Sequence, residues 1–132
     1  MQEENTKKTY TDVMFNTSAP YDNPYQGQDR RVLFVCSAGI LRSATAARIY
    51  AKKYNARAAG SCSYALIPVT KELLLWAKQV VFVNEENYQD VAKNFDLDTF
   101  PCYIKVLNIP DNYEHMHPEL IQHFIEQYEP LE

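Results

Sequence analysis

The sequence predicts an α/β domain: a four-stranded parallel sheet with helices on both faces, preceded by an irregular N-terminal tail. Three observations carry that expectation. Two short, unbroken apolar runs, Val32-Leu33-Phe34-Val35 and Val80-Val81-Phe82-Val83, have the composition of strands buried on both sides. Segments with helical spacing alternate with them, the chain order of parallel sheets. The first run passes into a helical pattern through a tight loop that opens on Cys36 and closes on Arg42.

The elements follow in order. Residues 1–30 are rich in Asn, Thr, Gln, Asp and Lys, contain Pro20 and Pro24, and hold no sustained period. They read as a mobile or loosely docked tail, with Met14, Phe15, Tyr21 and Tyr25 available as anchors on the domain or on a partner. Residues 31–132 form the domain. After the first strand, Ala47, Tyr50, Ala51 and Tyr54 recur at i, i+3, i+4 and i+7 and mark the inner face of a helix. Arg57-Ala58-Ala59 is a short second strand that Gly60-Ser61 ends. Thr70 is an N-cap for a helix through Leu73, Leu74, Trp76 and Ala77. Beyond the strand at Val80, Tyr88, Val91, Ala92 and Phe95 repeat the helical spacing. Tyr103 to Leu107 is the fourth strand. Pro118 suits the first turn of a last helix, whose inner face is Ile121, Phe124, Ile125 and Tyr128.

Composition narrows the partners. The chain has 132 residues, 46% of them hydrophobic, and a net charge of −4. That field disfavours nucleic acid and anionic membranes, although backbone amides and one arginine can still build a local anion pocket. No apolar run approaches the ~18 residues of a membrane-spanning helix. The opening MQEENTKKTY does not read as a secretory signal. Three cysteines, Cys36, Cys62 and Cys102, form neither a C-x-x-C pair nor a disulfide framework. A cytoplasmic protein with reduced thiols and no cofactor or metal is the expectation.

The loop Cys36-Ser37-Ala38-Gly39-Ile40-Leu41-Arg42 carries the chemistry. In an α/β sheet, ligands sit beyond the carboxyl ends of the strands. A loop there, running into a helix amino terminus, can turn successive amides and the helix dipole onto one oxyanion. The same field stabilises a thiolate on Cys36. Arg42 can grip two anion oxygens bidentately, which a lysine does less well. Ser43 can donate its hydroxyl to the thiolate. Gly39 relieves the tight part of the turn. Asp111, after the fourth strand, faces the same rim.

The stretch C-S-A-G-I-L-R-S resembles the C-x5-R-S phosphate loop of the low-molecular-weight protein tyrosine phosphatases. More narrowly, the chain looks like a short bacterial and phage-type branch of predicted tyrosine phosphatases, which carries a late loop similar to NIPDNYEHMHPEL. The resemblance spans Arg31 to Glu132. It implies that Cys36 is the nucleophile, that Arg42 and the loop residues Ser37 to Leu41 bind phosphate, and that Ser43 supports the thiolate. It makes Asp111 the general acid and base. The substrate it implies is a phosphorylated protein or a small phosphomonoester. Two departures stand out. The family usually has asparagine where this chain has Gly39, so the expectation is a more mobile loop that would accept asparagine. Pro110 precedes Asp111 rather than following it, which keeps Glu114 open as an alternative acid.

The residues admit other readings. A non-catalytic phosphate- or partner-binding module can use the same loop. Arsenate reductases share fold and loop but need further cysteines, and Cys62 and Cys102 lie far apart in sequence. His115 and His117 are a weak metal pair without a third ligand at a helix-defined position. Tyr64 and Tyr113 are candidate aromatic walls for a phosphotyrosine ring.

Overall fold

The computed structural model describes residue 27 and residues 29–131. The strands are β1 (Arg31–Cys36), β2 (Asn55–Gly60), β3 (Gln79–Phe82) and β4 (Tyr103–Val106). They form one four-stranded sheet in the order β2-β1-β3-β4, and every pairing is parallel. The helices are α1 (Arg42–Ile49), α2 (Lys71–Trp76), α3 (Glu85–Ala92) and α4 (Pro118–Gln127). The expected α/β architecture is therefore the observed one.

Alternation along β1 divides the core. Val32, Phe34 and Cys36 face α1 and α4, where Ala44, Ala47, Leu120 and Phe124 pack on them. Leu33 and Val35 face the other way, onto Leu73 and Leu74 of α2 and Val91 of α3. Cys36 thus leaves the sheet on the face whose last helix follows the Asp111 loop. Thr70 caps α2 as expected, its hydroxyl accepting from Leu73 N. His117 caps α4 in the same way, its Nδ1 accepting from Glu119 N at 3.1 Å.

Several boundaries move. The helix after the loop begins at Arg42 and ends at Ile49, so Tyr50, Ala51 and Tyr54 lie in the turn beyond it, still buried. In α3 the buried residues are Asn87 and Val91, whereas Ala92 is exposed and Phe95 lies past the helix end. In α4 the row facing the sheet is Leu120, Phe124 and the cap Tyr128; Ile121 and Ile125 are only half-buried. Tyr128 sets that phase, because its ring meets Phe34 and Tyr50 edge-on at 5.5 and 5.1 Å. β4 is an edge strand with all four residues exposed.

Of the segment expected to be a tail, only Gly27, Asp29 and Arg30 are described. Gly27 N donates to Ala51 O and Asp29 N to Lys53 O. The proposed anchors Met14, Phe15, Tyr21 and Tyr25 lie outside the described residues.

A tyrosine cluster ties α4 to the end of α1. Tyr50 OH donates to the carbonyls of Phe124 and Glu129, Tyr54 OH to the Glu129 carboxylate at 2.6 Å, and Tyr128 OH to Gln79 Oε1 at 2.7 Å. Burial, with Glu129 adding to it, pushes the Tyr54 hydroxyl up to about 12. Burial raises Tyr50 and Tyr128 further. An acid held neutral by the fold favours unfolding once the unfolded chain can ionise it. Stability is therefore full below about pH 10, the ordinary tyrosine value, and falls as pH rises towards the folded values. Alkaline titration should show tyrosinate absorbance from this cluster appearing together with loss of circular dichroism. Ionisation near the ordinary value with the fold intact would remove the cluster from the stability argument.

Candidate active site

The loop between β1 and α1 brings Cys36 and Arg42 together. Cys36 is buried at the end of β1, and Arg42 opens α1 with 2% of its surface exposed. Cys36 Sγ receives the Gly39 N–H at 3.2 Å and lies 3.1 Å from Ser43 Oγ. With the sulfur as thiolate, the Ser43 hydroxyl is the donor, so two neutral dipoles point at the charge. Ser37, Ala38 and Gly39 are half-buried, while Ile40 and Leu41 stand exposed at the rim.

The Arg42 guanidinium is held from three sides. Its Nη1 donates to Ile109 O at 2.9 Å, and its Nη2 donates to Ser37 Oγ at 3.3 Å. Its Nε lies 3.5 Å from Asp111 Oδ1. A guanidinium has two N–H groups on each terminal nitrogen, so both nitrogens keep a donor for an anion's oxygens. Asp111 is itself well exposed, with 62% of its side chain accessible. The chain thus sets a thiol, a guanidinium and a carboxylate from two distant segments on one rim. Glu114 is exposed, and its carbonyl accepts from His117 N.

Two glycines explain why the loop sits where it does. Gly39 has φ +81°, and a Cβ there would lie 2.8 Å from both Ala59 C and Gly60 N. A Cβ on Gly60 would meet Ala65 Cβ, and would lie 2.6 Å from Ser37 O. Loop and β2 end therefore touch backbone to backbone. Ser61 N and Cys62 N donate to Cys36 O and Ser37 O at 2.7 and 3.0 Å, extending the β1–β2 ladder into the loop. The expectation that asparagine would be accepted at position 39 needs correction: the backbone angle suits it, but the space does not.

Sequence reading missed a buried polar brace. Asn87 of α3 is fully buried, and its Nδ2 donates to Ser37 Oγ at 3.1 Å and Ser61 Oγ at 3.2 Å. Ser61 Oγ donates onward to Asp90 Oδ2 at 3.1 Å. The brace links phosphate loop, β2 end and α3. The available signal was a polar residue one turn before Val91 on the inner face of α3.

The remaining candidates fall elsewhere. Tyr113 turns onto α4, its hydroxyl 3.1 Å from His123 Nε2 and its ring against His117. Tyr64 is 75% exposed. His115 points its Nδ1 at Thr45 Oγ1, 3.4 Å away, while His117 is spent on its cap. Among the described residues, no group of three His, Cys, Asp or Glu is placed to hold a metal. Cys62 and Cys102 are half-buried and unpaired, and burial pushes the Cys102 thiol up. No helix of the described residues is long and apolar enough to cross a membrane.

Comparison of the chain with protein-family models, curated proteins and solved structures finds no match. The molecule is a small α/β fold with a Cys-x5-Arg loop after its first strand, an arrangement consistent with the phosphate-loop phosphatases.

Proposed function

We propose that residues 31–132 form a metal-independent phosphomonoester hydrolase of the low-molecular-weight tyrosine phosphatase type, acting on phosphotyrosine in the cytoplasm, with residues 1–30 an appended segment. The observation that carries the reading is the Cys36 sulfur with Gly39 N–H and Ser43 Oγ upon it, beside a buried Arg42 that also contacts Asp111. In the proposed reaction the Cys36 thiolate attacks phosphorus in line. The phosphorus–oxygen bond of the ester breaks, and the leaving oxygen takes a proton from Asp111. Amides of Ser37 to Leu41, together with Arg42, hold the phosphoryl oxygens. Water then attacks the phosphocysteine and gives its proton to the Asp111 carboxylate. Phosphate and the thiolate are released.

The test is hydrolysis of a graded series of phosphate esters in the presence of chelator. Turnover that survives chelation supports the reading. Anion binding without turnover would replace it with the binding module. Asp111→Asn should slow esters with poor leaving groups by roughly 10²-fold or more, and activated aryl phosphates much less, because a good leaving group needs little protonation. Glu114→Gln should be mild. The reverse ranking would transfer the acid role to Glu114.

A further inference from the structure

We propose that Thr45 is a positioning residue that fixes the Asp111 loop onto the phosphate loop, an inference that rests on the phosphatase reading. Thr45 is fully buried in α1. Its Oγ1 donates to Leu41 O at 2.8 Å, accepts from Met116 N at 2.8 Å, and lies 3.4 Å from His115 Nδ1. A threonine inside a helix commonly returns its hydroxyl to the carbonyl four residues back, so the Leu41 bond alone signifies little. The second bond is different. The same oxygen takes an amide from a segment 71 residues later in the chain. Leu41, at its other end, directly precedes Arg42.

The residue that Thr45 holds is strained. Met116 has φ 63°, the one positive value at a non-glycine position among the described residues. A side chain with a Cβ meets a steric conflict in that conformation, and it persists where surrounding contacts over-determine it. The loop from Ile109 to Met116 is pinned at both ends to the same loop and helix. Arg42 Nη1 and Asn84 Nδ2 hold Ile109 O, at 2.9 and 3.4 Å, and Thr45 holds Met116 N. Asp111 lies between the pins. Without the second pin, Met116 N–H loses its acceptor, the strained turn loses its support, and the carboxylate loses its fixed distance from the leaving oxygen. Leu41 O keeps the Thr45 backbone N–H at 3.0 Å when the hydroxyl is removed, so the phosphate loop retains that bond and binding of the phosphoryl group is spared.

The experiment compares full-length wild type, Thr45→Val and Thr45→Ser. Rates are measured on aryl phosphates of graded leaving-group ability, and amide hydrogen exchange is followed at Met116. Thr45→Val should lose about tenfold or more in kcat on poor leaving groups and little on the most activated ester, with KM nearly constant. Thr45→Ser keeps the hydroxyl and should restore most of that loss. Should Thr45→Val not fold, Thr45→Ala removes the same hydroxyl and carries the same expectation. A loss equal across all esters, or a serine variant as poor as valine, would overturn the proposal, since a merely structural threonine predicts that pattern. If the wild type hydrolyses no ester, the phosphatase reading fails alone. Met116 exchange then decides: protection in wild type and Thr45→Ser but not in Thr45→Val keeps the pin, and equal protection in all three removes it.

Discussion

Cys36→Ser is expected to abolish turnover, by ~10⁴-fold or more, and to leave phosphate binding in place. The two functions reside in different atoms. In the proposed reaction the covalent bond requires the sulfur, whereas the anion is assigned to Arg42 and to the amides of a loop that the ladder to β2 positions. A serine hydroxyl fits the same space against Gly39 N–H and Ser43 Oγ but is far less ionised at neutral pH than a cysteine thiol. Phosphate should therefore still raise the melting temperature of the variant, since a ligand that binds only the folded state stabilises it. In the wild type, acid quenching during turnover of an activated ester should trap phosphocysteine, and Asp111→Asn should increase the trapped fraction by slowing attack of water. Near-normal hydrolysis by Cys36→Ser would remove this residue from the nucleophile's role, whatever the loop binds.

The parts of this site that sequence made legible are local. Cys36, Arg42 and Ser43 lie within one turn, and their residue types at that spacing carry their own chemical argument. The buried strands were legible because an unbroken Val-Leu-Phe-Val run needs covering on both faces, which a parallel sheet supplies. Asp111 was legible through the strand-end rule and the resemblance of its loop; its 3.5 Å approach to Arg42 depends on how the segment from Leu107 to Ile109 packs beside β3. Thr45, Ser61, Asn87 and Asp90 were not legible. Each is an ordinary helix or turn residue by itself, and each acquires meaning from a partner in another element. On the inner face of α4, Phe124 and Tyr128 were legible, whereas Leu120 takes the buried place expected of Ile121 and Ile125, which are equally apolar and end half-buried.

Gly39 yields the second large effect, and here the structure reverses what sequence implies. By backbone angle alone, asparagine is a fair replacement for glycine at φ +81°, since it enters the left-handed region more readily than most residues. The neighbours of position 39 decide otherwise. A Cβ there meets the carbonyl carbon of Ala59 and the amide of Gly60, backbone atoms that the β1–β2 ladder holds in place. Such a conflict is relieved only by moving the loop off β2. That movement also carries Gly39 N–H away from the Cys36 sulfur and loosens the turn that sets Arg42. Strain at positive φ costs ~1–2 kcal/mol for an ordinary side chain, and an overpacked contact costs ~1–3 kcal/mol more. Together they weaken a phosphate-ready loop by roughly thirtyfold or more, at ~1.4 kcal/mol per factor of ten. Gly39→Ala, Gly39→Asn and Gly39→Val should all bind phosphate less well and turn over more slowly. Valine should be worst, because its β-branch adds to both terms. Phosphate inhibition and phosphate-dependent melting measure the series against wild type. Should Gly39→Asn bind phosphate as tightly as wild type, the loop does not rest on the β2 backbone, and the placement of the Cys36 and Arg42 groups described above would have to be redrawn.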